Sequence, residues 1–232
     1  MKIINAQKVD MTTYGHTTSC GVYLIHVKIL DIKNRAKEII NMLTEKSWIN
    51  KLGVVDKLAY DARAEKTIKK IVEDILMKVE DKVTEDFGEY LVSDSAGNAL
   101  RDEHNHTKIA LAELWKEQKS GNPGFDFHME SANEMIIYGE AKFKTSGSPY
   151  TIALDQIVDF IDAKKDQMEL ADLQKLVSPN AITNATNNLK GFIAAFSLNA
   201  VDHKKIFENA LKVASIKKLL CHTELYLIGV EV

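Results

Sequence analysis

Residues 124–142, GFDFHMESANEMIIYGEAK, contain two short apolar runs, each interrupted by isolated charges. Aromatic and β-branched residues dominate GFDFHM and EMIIYGEAKFK, so both runs favour β-strands. Residues 131–133, SAN, favour a turn between them. The stretch therefore predicts two neighbouring strands, with Asp126 on the first and Glu140 on the second.

The sequence on either side alternates between helical and strand patterns. Apolar runs predict further strands at residues 20–31, 191–198 and 224–231. Apolar spacing typical of amphipathic helices predicts helices at residues 35–48, 59–83, 105–119 and 150–165, more helix to about 188, and another at 202–219. This order predicts an α/β (α+β) fold, in which helices flank a mixed central sheet.

A domain boundary is predicted from the turn-forming residues between the second helix and the third. Residues 84–103 contain several of them, which favour an irregular segment: Gly88, Asp94, Ser95, Gly97 and Asn98. The boundary divides the chain into an accessory or docking α/β region, residues 1–85, and a core, residues 86–232. A chain of 232 residues suits one domain, or one domain with an appendage.

Composition limits the classes of protein to be considered. Apolar residues make up 45% of the chain and charged residues 27%, which is typical of a globular protein rather than a disordered one. The formal net charge is −3, whereas an autonomous DNA-binding protein is usually basic. The charge disfavours tight binding to DNA by this chain alone, but allows a nuclease that a partner delivers.

The cysteines and the apolar runs bear on where the protein works. Cys20 and Cys221 lie far apart, and neither belongs to a CxxC pair, so a disulfide framework or a structural zinc site is not expected. MKIINAQKVD has no apolar segment typical of a secretory signal, and no apolar run reaches membrane-spanning length. We expect a cytoplasmic protein without a membrane partner.

The charges in the two central strands suggest a metal-dependent hydrolytic site. Glu140 and Lys142 are two residues apart, so their side chains project from the same face of a strand. A hairpin would bring Asp126 beside them. Mg²⁺ or Mn²⁺ prefers oxygen ligands, which the carboxylates of Asp126 and Glu140 and the carbonyl of Ala141 would supply. Lys142 would orient a water or stabilise developing negative charge.

An aspartate, a variable gap and Glu-x-Lys on the next strand resemble the motif of the PD-(D/E)XK nuclease superfamily. The resemblance implies a restriction-endonuclease-like fold and Mg²⁺-dependent hydrolysis of DNA. It also implies a glutamate on the helix before the first strand, matched by Glu113 in KIALAELWKE, and a glutamine on the helix after the second, matched by Gln156 in ALDQIVDF. Phe125 stands where the motif often has proline.

A longer stretch carries a narrower resemblance. Residues 88–127 and 138–143, GEYLVSDSAGNALRDEHNHTKIALAELWKEQKSGNPGFDF and YGEAKF, resemble the nuclease subunit of the Hachiman anti-phage defence system. That similarity implies antiviral defence in bacteria, with DNA as substrate and a helicase or ATPase as partner.

Several alternatives remain open from the sequence. The spacing Asp-x13-Glu-x-Lys also fits a surface hairpin with ordinary ion pairs. A catalytically inactive nuclease-fold subunit that binds a protein or nucleic acid is the main alternative function, and a metal-free nucleic-acid binder is disfavoured by the charge. His104 and His106, in EHNHT, suggest an HNH nuclease, but the zinc-like ββα context is not evident. His128 is a candidate for a secondary role.

Overall fold

The computed structural model describes residues 1–75, 83–116 and 124–232. These residues form seven strands: β1 (Lys2–Val9), β2 (Gly21–Lys28), β3 (Thr107–Lys108), β4 (Phe127–Glu130), β5 (Ile136–Lys142), β6 (Gly191–Ser197) and β7 (Glu224–Glu231). They also form ten α-helices: α1 (Ile32–Thr44), α2 (Val54–Lys70), α3 (Glu85–His104), α4 (Ala112–Trp115), α5 (Pro149–Asp162), α6 (Lys165–Met168), α7 (Leu170–Leu173), α8 (Pro179–Thr186), α9 (His203–Ala210) and α10 (Ile216–Leu219). Short 3-10 helices cover Met11–Tyr14 and Ser47–Lys51, and a π-helix, Ile71–Ile75, continues α2.

The strands form one mixed sheet in the order β1-β2-β7-β6-β5-β4-β3. The four central strands, β2, β7, β6 and β5, are parallel, and antiparallel strands pair at both sides of them. This arrangement confirms the predicted class, a mixed sheet flanked by helices. β1 and β2 come from the region predicted to be accessory, yet they belong to this same sheet.

Both faces of the sheet are covered, as expected for parallel strands with continuous apolar sequences. On the face that we call the α5 face, a core forms between the sheet and helices that include α5 and α9, with Leu154, Ile157, Phe192, Phe196 and Phe207. On the opposite face, the α3 face, α1 and α3 cover the sheet, with Ile39, Leu91, Val92, Ile193 and Ile228. No helix within the described ranges is long and apolar enough to cross a membrane.

The prediction of an irregular segment at residues 84–103 is wrong, because this segment forms α3. Thr84 caps the helix by accepting a hydrogen bond from the Phe87 N–H. Most residues from Phe87 to Leu100 are buried, and the small ones allow the helix to lie close to the sheet. A Cβ at Gly88, for example, would overlap the ring of Phe143. The division into domains at residues 1–85 and 86–232 stays a prediction.

The predicted helix at residues 105–119 is also wrong over its first part. Asn105 has a left-handed φ of 54° and ends α3, and Thr107 and Lys108 pair with β4 as a short strand. Helix is found only in α4, while residues 117–119 lie outside the described residues. Residues 76–82 of the predicted helix at 59–83 lie outside them as well.

Other boundaries differ less from the prediction. The helix predicted at residues 202–219 is divided by turns into α9 and α10. β4 begins at Phe127 rather than at residue 124, so Asp126 immediately precedes the strand. β1 was not predicted, because its exposed residues give no apolar run.

We predict that Gly88→Ala destabilises the protein by about 1–3 kcal/mol, the usual cost of overpacking a core. The added Cβ would overlap the ring of Phe143, the residue that follows β5, and would push α3 away from the sheet. Chemical denaturation measures the change. Gly53→Ala is the matched control, because a Cβ there meets no atom within 4 Å. Equal stability of Gly88→Ala and the control would contradict the close packing of α3.

Candidate active site

The pairing of β4 with β5 brings Asp126 next to the carboxyl end of β5. The antiparallel register joins His128 to Tyr138 and Phe127 to Gly139, and Asp126 is the residue just before this paired segment. The Asp126 N–H donates to the carbonyl of Gly139 at 2.9 Å, so this part of the chain stays against β5 beyond the end of β4. The two carboxyl groups therefore lie on neighbouring backbone segments, at the carboxyl end of β5.

Asp126 also binds the backbone of β5. Its Oδ2 accepts a hydrogen bond from the Ala141 N–H at 2.8 Å. In an extended strand the N–H and C=O of one residue project to the same side. The carbonyl of Ala141 therefore faces the same edge of β5 as its N–H, and its role as a metal ligand stays a prediction.

Glu140 is a fully buried carboxyl group, with 0% of its side chain exposed. Its Oε1 accepts a hydrogen bond from Lys142 Nζ at 2.7 Å, and its Oε2 has no hydrogen-bond partner among the described residues. Burial raises the pKa of Glu140 well above its usual value, and the charge of Asp126 raises it further. The burial of Glu140 is incompatible with an ordinary surface hairpin.

Lys142 lies among carboxylates at the end of β5. In addition to its contact with Glu140, its Nζ is 3.7 Å from Glu89 Oε1 on α3. Burial lowers the pKa of Lys142, but the negative charges of Glu140, Asp126 and Glu89 outweigh burial and raise it overall. The lysine is therefore a cation at neutral pH and offsets part of the repulsion between the carboxylates.

Glu89 is the acidic residue of this cluster that the sequence did not indicate. Burial raises its pKa, the ammonium of Lys142 lowers it, and the charge of Asp126 raises it. Glu89 therefore belongs to the same site, because the charges of Lys142 and Asp126 both affect its pKa. The sequence does contain a helix start that indicates Glu89, because Thr84 is a favourable N-cap residue before EDFGEYLV. Gly88 and the turn-forming residues after it favour an irregular segment instead.

The two residues predicted on flanking helices lie differently. Glu113, on α4, accepts a hydrogen bond from the Tyr90 hydroxyl at 2.8 Å. Burial raises the pKa of Glu113, and Asp126 contributes to the rise, so Glu113 borders the site without contacting Lys142. Gln156 is half-buried on α5, and within the described residues it makes no hydrogen bond to Asp126 or Glu140.

A buried polar network positions the segment that carries Asp126. His128 Nε2 lies 2.7 Å from Glu169 Oε2, and Glu169 Oε1 accepts from the Phe125 N–H at 3.1 Å. Lys116 Nζ donates to the Phe125 carbonyl at 2.6 Å and to Glu169 at 2.5 Å. Residues on both sides of Asp126 are thus held by Glu169, which gives His128 a positioning role.

The histidines that suggested an HNH nuclease belong to a different environment. His106 Nε2 lies 2.9 Å from the hydroxyl of Tyr226, and the rings of His104 and His106 pack against that tyrosine. Burial lowers the pKa of His106 to about 4, so its imidazole is neutral at pH 7. These contacts support a packing role for both histidines.

We predict that Glu140→Gln raises the free energy of unfolding of the metal-free protein by about 1.5–3 kcal/mol, the range for a hydrogen bond to a charged group, because the Gln amide can donate to the Asp126 carboxylate. The side-chain amide of the glutamine carries no charge, so the repulsion of Asp126 is removed. Lys142 still has the negative charges of Asp126 and Glu89 beside it. Denaturation in a chelator measures the change, with the exposed Glu103→Gln on α3 as control. A less stable Glu140→Gln would show that the carboxylate stabilises the fold.

Comparisons of the chain with protein-family models, with curated proteins and with solved structures found no match. The resemblance to the PD-(D/E)XK superfamily therefore rests on the amino-acid sequence alone.

Proposed function

We propose that this protein is a metal-dependent nuclease with a restriction-endonuclease-like fold, and that it hydrolyses phosphodiester bonds of DNA. The proposal extends to the setting that the sequence resemblance implies, which is anti-phage defence in the bacterial cytoplasm together with a helicase. Asp126, Glu140 and Lys142 form its active site, and Glu89 and Glu113 border it.

The observation that carries the proposal is the close pair of carboxyl groups of Glu140 and Asp126. Among the described residues no donor binds the buried Oε2 of Glu140, and the Asp126 carboxyl group lies close enough to hydrogen-bond with Glu140 when one of the two is protonated. A buried charge is costly unless it is paired or binds a metal ion. Lys142 contacts only Oε1 among the two oxygens. A cation held between Glu140 and Asp126 would satisfy the second oxygen and remove the repulsion, so the donor set suits Mg²⁺ or Mn²⁺.

The residues of the site would divide the work of hydrolysis. Glu140, Asp126 and the carbonyl of Ala141 would hold the ion, which when bound polarises a phosphoryl oxygen and acidifies a water. Lys142, kept as a cation by the surrounding carboxylates, would donate hydrogen bonds to the attacking water or to the phosphate oxygens. Glu89, on the neighbouring helix α3, would hold the Lys142 ammonium group in place.

A second candidate function is a catalytically inactive nuclease-fold subunit that binds a partner. Three apolar side chains at the start of α2, Val54, Val55 and Leu58, are each at least 70% exposed. Exposed apolar groups that lie together are typical of interaction surfaces. This surface is compatible with either candidate, because a nuclease delivered by a helicase also needs a docking surface.

The partner proposal rests on the sequence resemblance and on the net charge of −3. A tagged chain expressed with its native gene neighbours should co-purify with a DNA-dependent ATPase, and Leu58→Glu should weaken the association. A chain that purifies alone and cleaves DNA rapidly at physiological salt would contradict the need for a partner.

We predict that Glu140→Ala and Lys142→Ala each abolish Mg²⁺- or Mn²⁺-dependent cleavage of DNA. The first change removes a metal ligand, whereas the second removes the cation that acts on water or phosphate and leaves both carboxylates. Lys142→Ala should therefore still bind Mn²⁺ in a calorimetric titration. Glu89→Gln should reduce cleavage more than Glu113→Gln, because Glu89 contacts Lys142 and Glu113 contacts Tyr90.

The cleavage assay needs the parent chain with any co-purified ATPase, and thermal melts of every variant show that it is folded. Lys144→Ala is the matched control for Lys142→Ala, because Lys144 pairs with Glu85 at the surface. Undiminished cleavage by folded Lys142→Ala would refute the catalytic assignment. No cleavage by the parent complex under any divalent ion would favour the inactive subunit.

A further inference from the structure

A second cluster of metal-ligating side chains lies outside the candidate active site. His26 on β2, His203 at the start of α9 and Glu231 at the end of β7 each offer one ligand atom, and these atoms lie within 4.8 Å of one another. His26 Nε2 is 3.2 Å from Glu231 Oε2, and His203 Nδ1 is 3.9 Å from the same oxygen. Both imidazoles therefore converge on one carboxylate oxygen.

Sheet topology brings these residues together from distant parts of the sequence. β2 and β7 are parallel and in register, with His26 opposite Gly229 and Lys28 opposite Glu231. A Cβ at Gly229 would overlap Phe207 and Leu198, so this glycine allows α9 to lie close to β7. The N-terminal end of α9 covers the same place, where Phe207 also lies 6.5 Å from the His26 ring.

Two of the three ligand-atom separations are close to those around a small tetrahedral ion. Zinc bound at 2.0–2.1 Å by nitrogen and oxygen ligands keeps those ligand atoms about 3.4 Å apart. The two measured separations from Glu231 Oε2, 3.2 and 3.9 Å, bracket that value. All three ligand atoms lie within 4.8 Å of one another.

The charge environment leaves one carboxylate oxygen for a metal ion. Lys28 Nζ pairs with Glu231 Oε1 at 2.5 Å, so it occupies the oxygen that the histidines do not face. The side chains of His26, His203 and Glu231 are 14%, 24% and 26% exposed, which gives an ion access from solvent. A fourth coordination position would be open to water or another ligand.

We propose that His26, His203 and Glu231 bind a divalent transition-metal ion, with Zn²⁺ as the best-fitting ion. Two imidazoles and one carboxylate suit zinc, whereas Mg²⁺ prefers oxygen ligands. The ion would fasten the start of α9 to the carboxyl ends of β2 and β7. The proposal does not depend on the nuclease function.

This site lies on the same edge of the sheet as the candidate active site but is separate from it. Lys142, Phe196, Gly229 and His26 occupy one row across β5, β6, β7 and β2. Three inter-strand spacings give a separation of roughly 14 Å between the backbones at His26 and Lys142. One ion therefore cannot be shared by the two sites.

Calorimetric titration of the chelator-stripped full chain with Zn²⁺ tests the proposal. All proteins carry Glu140→Gln, so that the carboxylate pair at the candidate active site contributes little. We expect one ion per chain, and affinity at least about 100-fold lower in His203→Ala and Glu231→Gln, since even outer-shell changes cost 10–100-fold. His16→Ala, which removes a histidine outside the cluster, should bind as the parent does.

Thermal melts complete the test, because an ion that binds the folded state raises the melting temperature. Zn²⁺ should raise it in the parent and in His16→Ala, but not in His203→Ala or Glu231→Gln, whose metal-free melts show whether they are folded. Mg²⁺ at the same concentration should have no effect at this site. Absence of Zn²⁺ binding, or binding that persists unchanged in folded His203→Ala, would overturn the proposal.

Discussion

Two carboxyl groups, Asp126 and Glu140, lie together at the carboxyl end of β5, and the ammonium group of Lys142 contacts one of them. Glu140 is fully buried, and one of its oxygens has no hydrogen-bond partner among the described residues. Desolvation and mutual repulsion both disfavour the ionised pair. The surrounding structure must hold the two carboxyl groups in this unfavourable arrangement. A cation bound between them would make the electrostatic energy of the arrangement favourable.

The fold holds the pair from three sides. Asp126 is fixed by the N–H of Ala141 and by the Glu169 network on the residues around it. The backbone of Glu140 is held by its pairing with Ala194 of β6, which fixes the direction in which its side chain leaves the strand. On the α3 face, small residues of α3 allow the helix to pack closely enough for Glu89 to reach Lys142. Position and charge of the site thus depend on ordinary core packing.

The local parts of this arrangement were predictable from the sequence. Strand alternation alone places Glu140 and Lys142 together, and a short connection brings Asp126 beside them. Glu89 was not predictable in the same way, because Gly88, Gly97 and their polar neighbours favour turns when considered alone and favour close helix packing only when the sheet is present. The helix predicted at residues 105–119 is likewise interrupted, because Thr107 and Lys108 pair with β4 as a strand. His26 and Glu231 are 205 residues apart and meet only through the parallel pairing of β2 and β7.

The central claim is that Asp126 and Glu140 hold a divalent cation, and anomalous scattering from crystals grown with Mn²⁺ tests it most directly. The account predicts one strong anomalous peak bound by an oxygen of each carboxylate, at about the 2.0–2.1 Å expected for Mg²⁺ or slightly more. The same peak should be absent from Glu140→Ala crystals grown in parallel. Ordered Asp126 and Glu140 side chains that share a proton, with no peak between them at saturating Mn²⁺, would contradict the account.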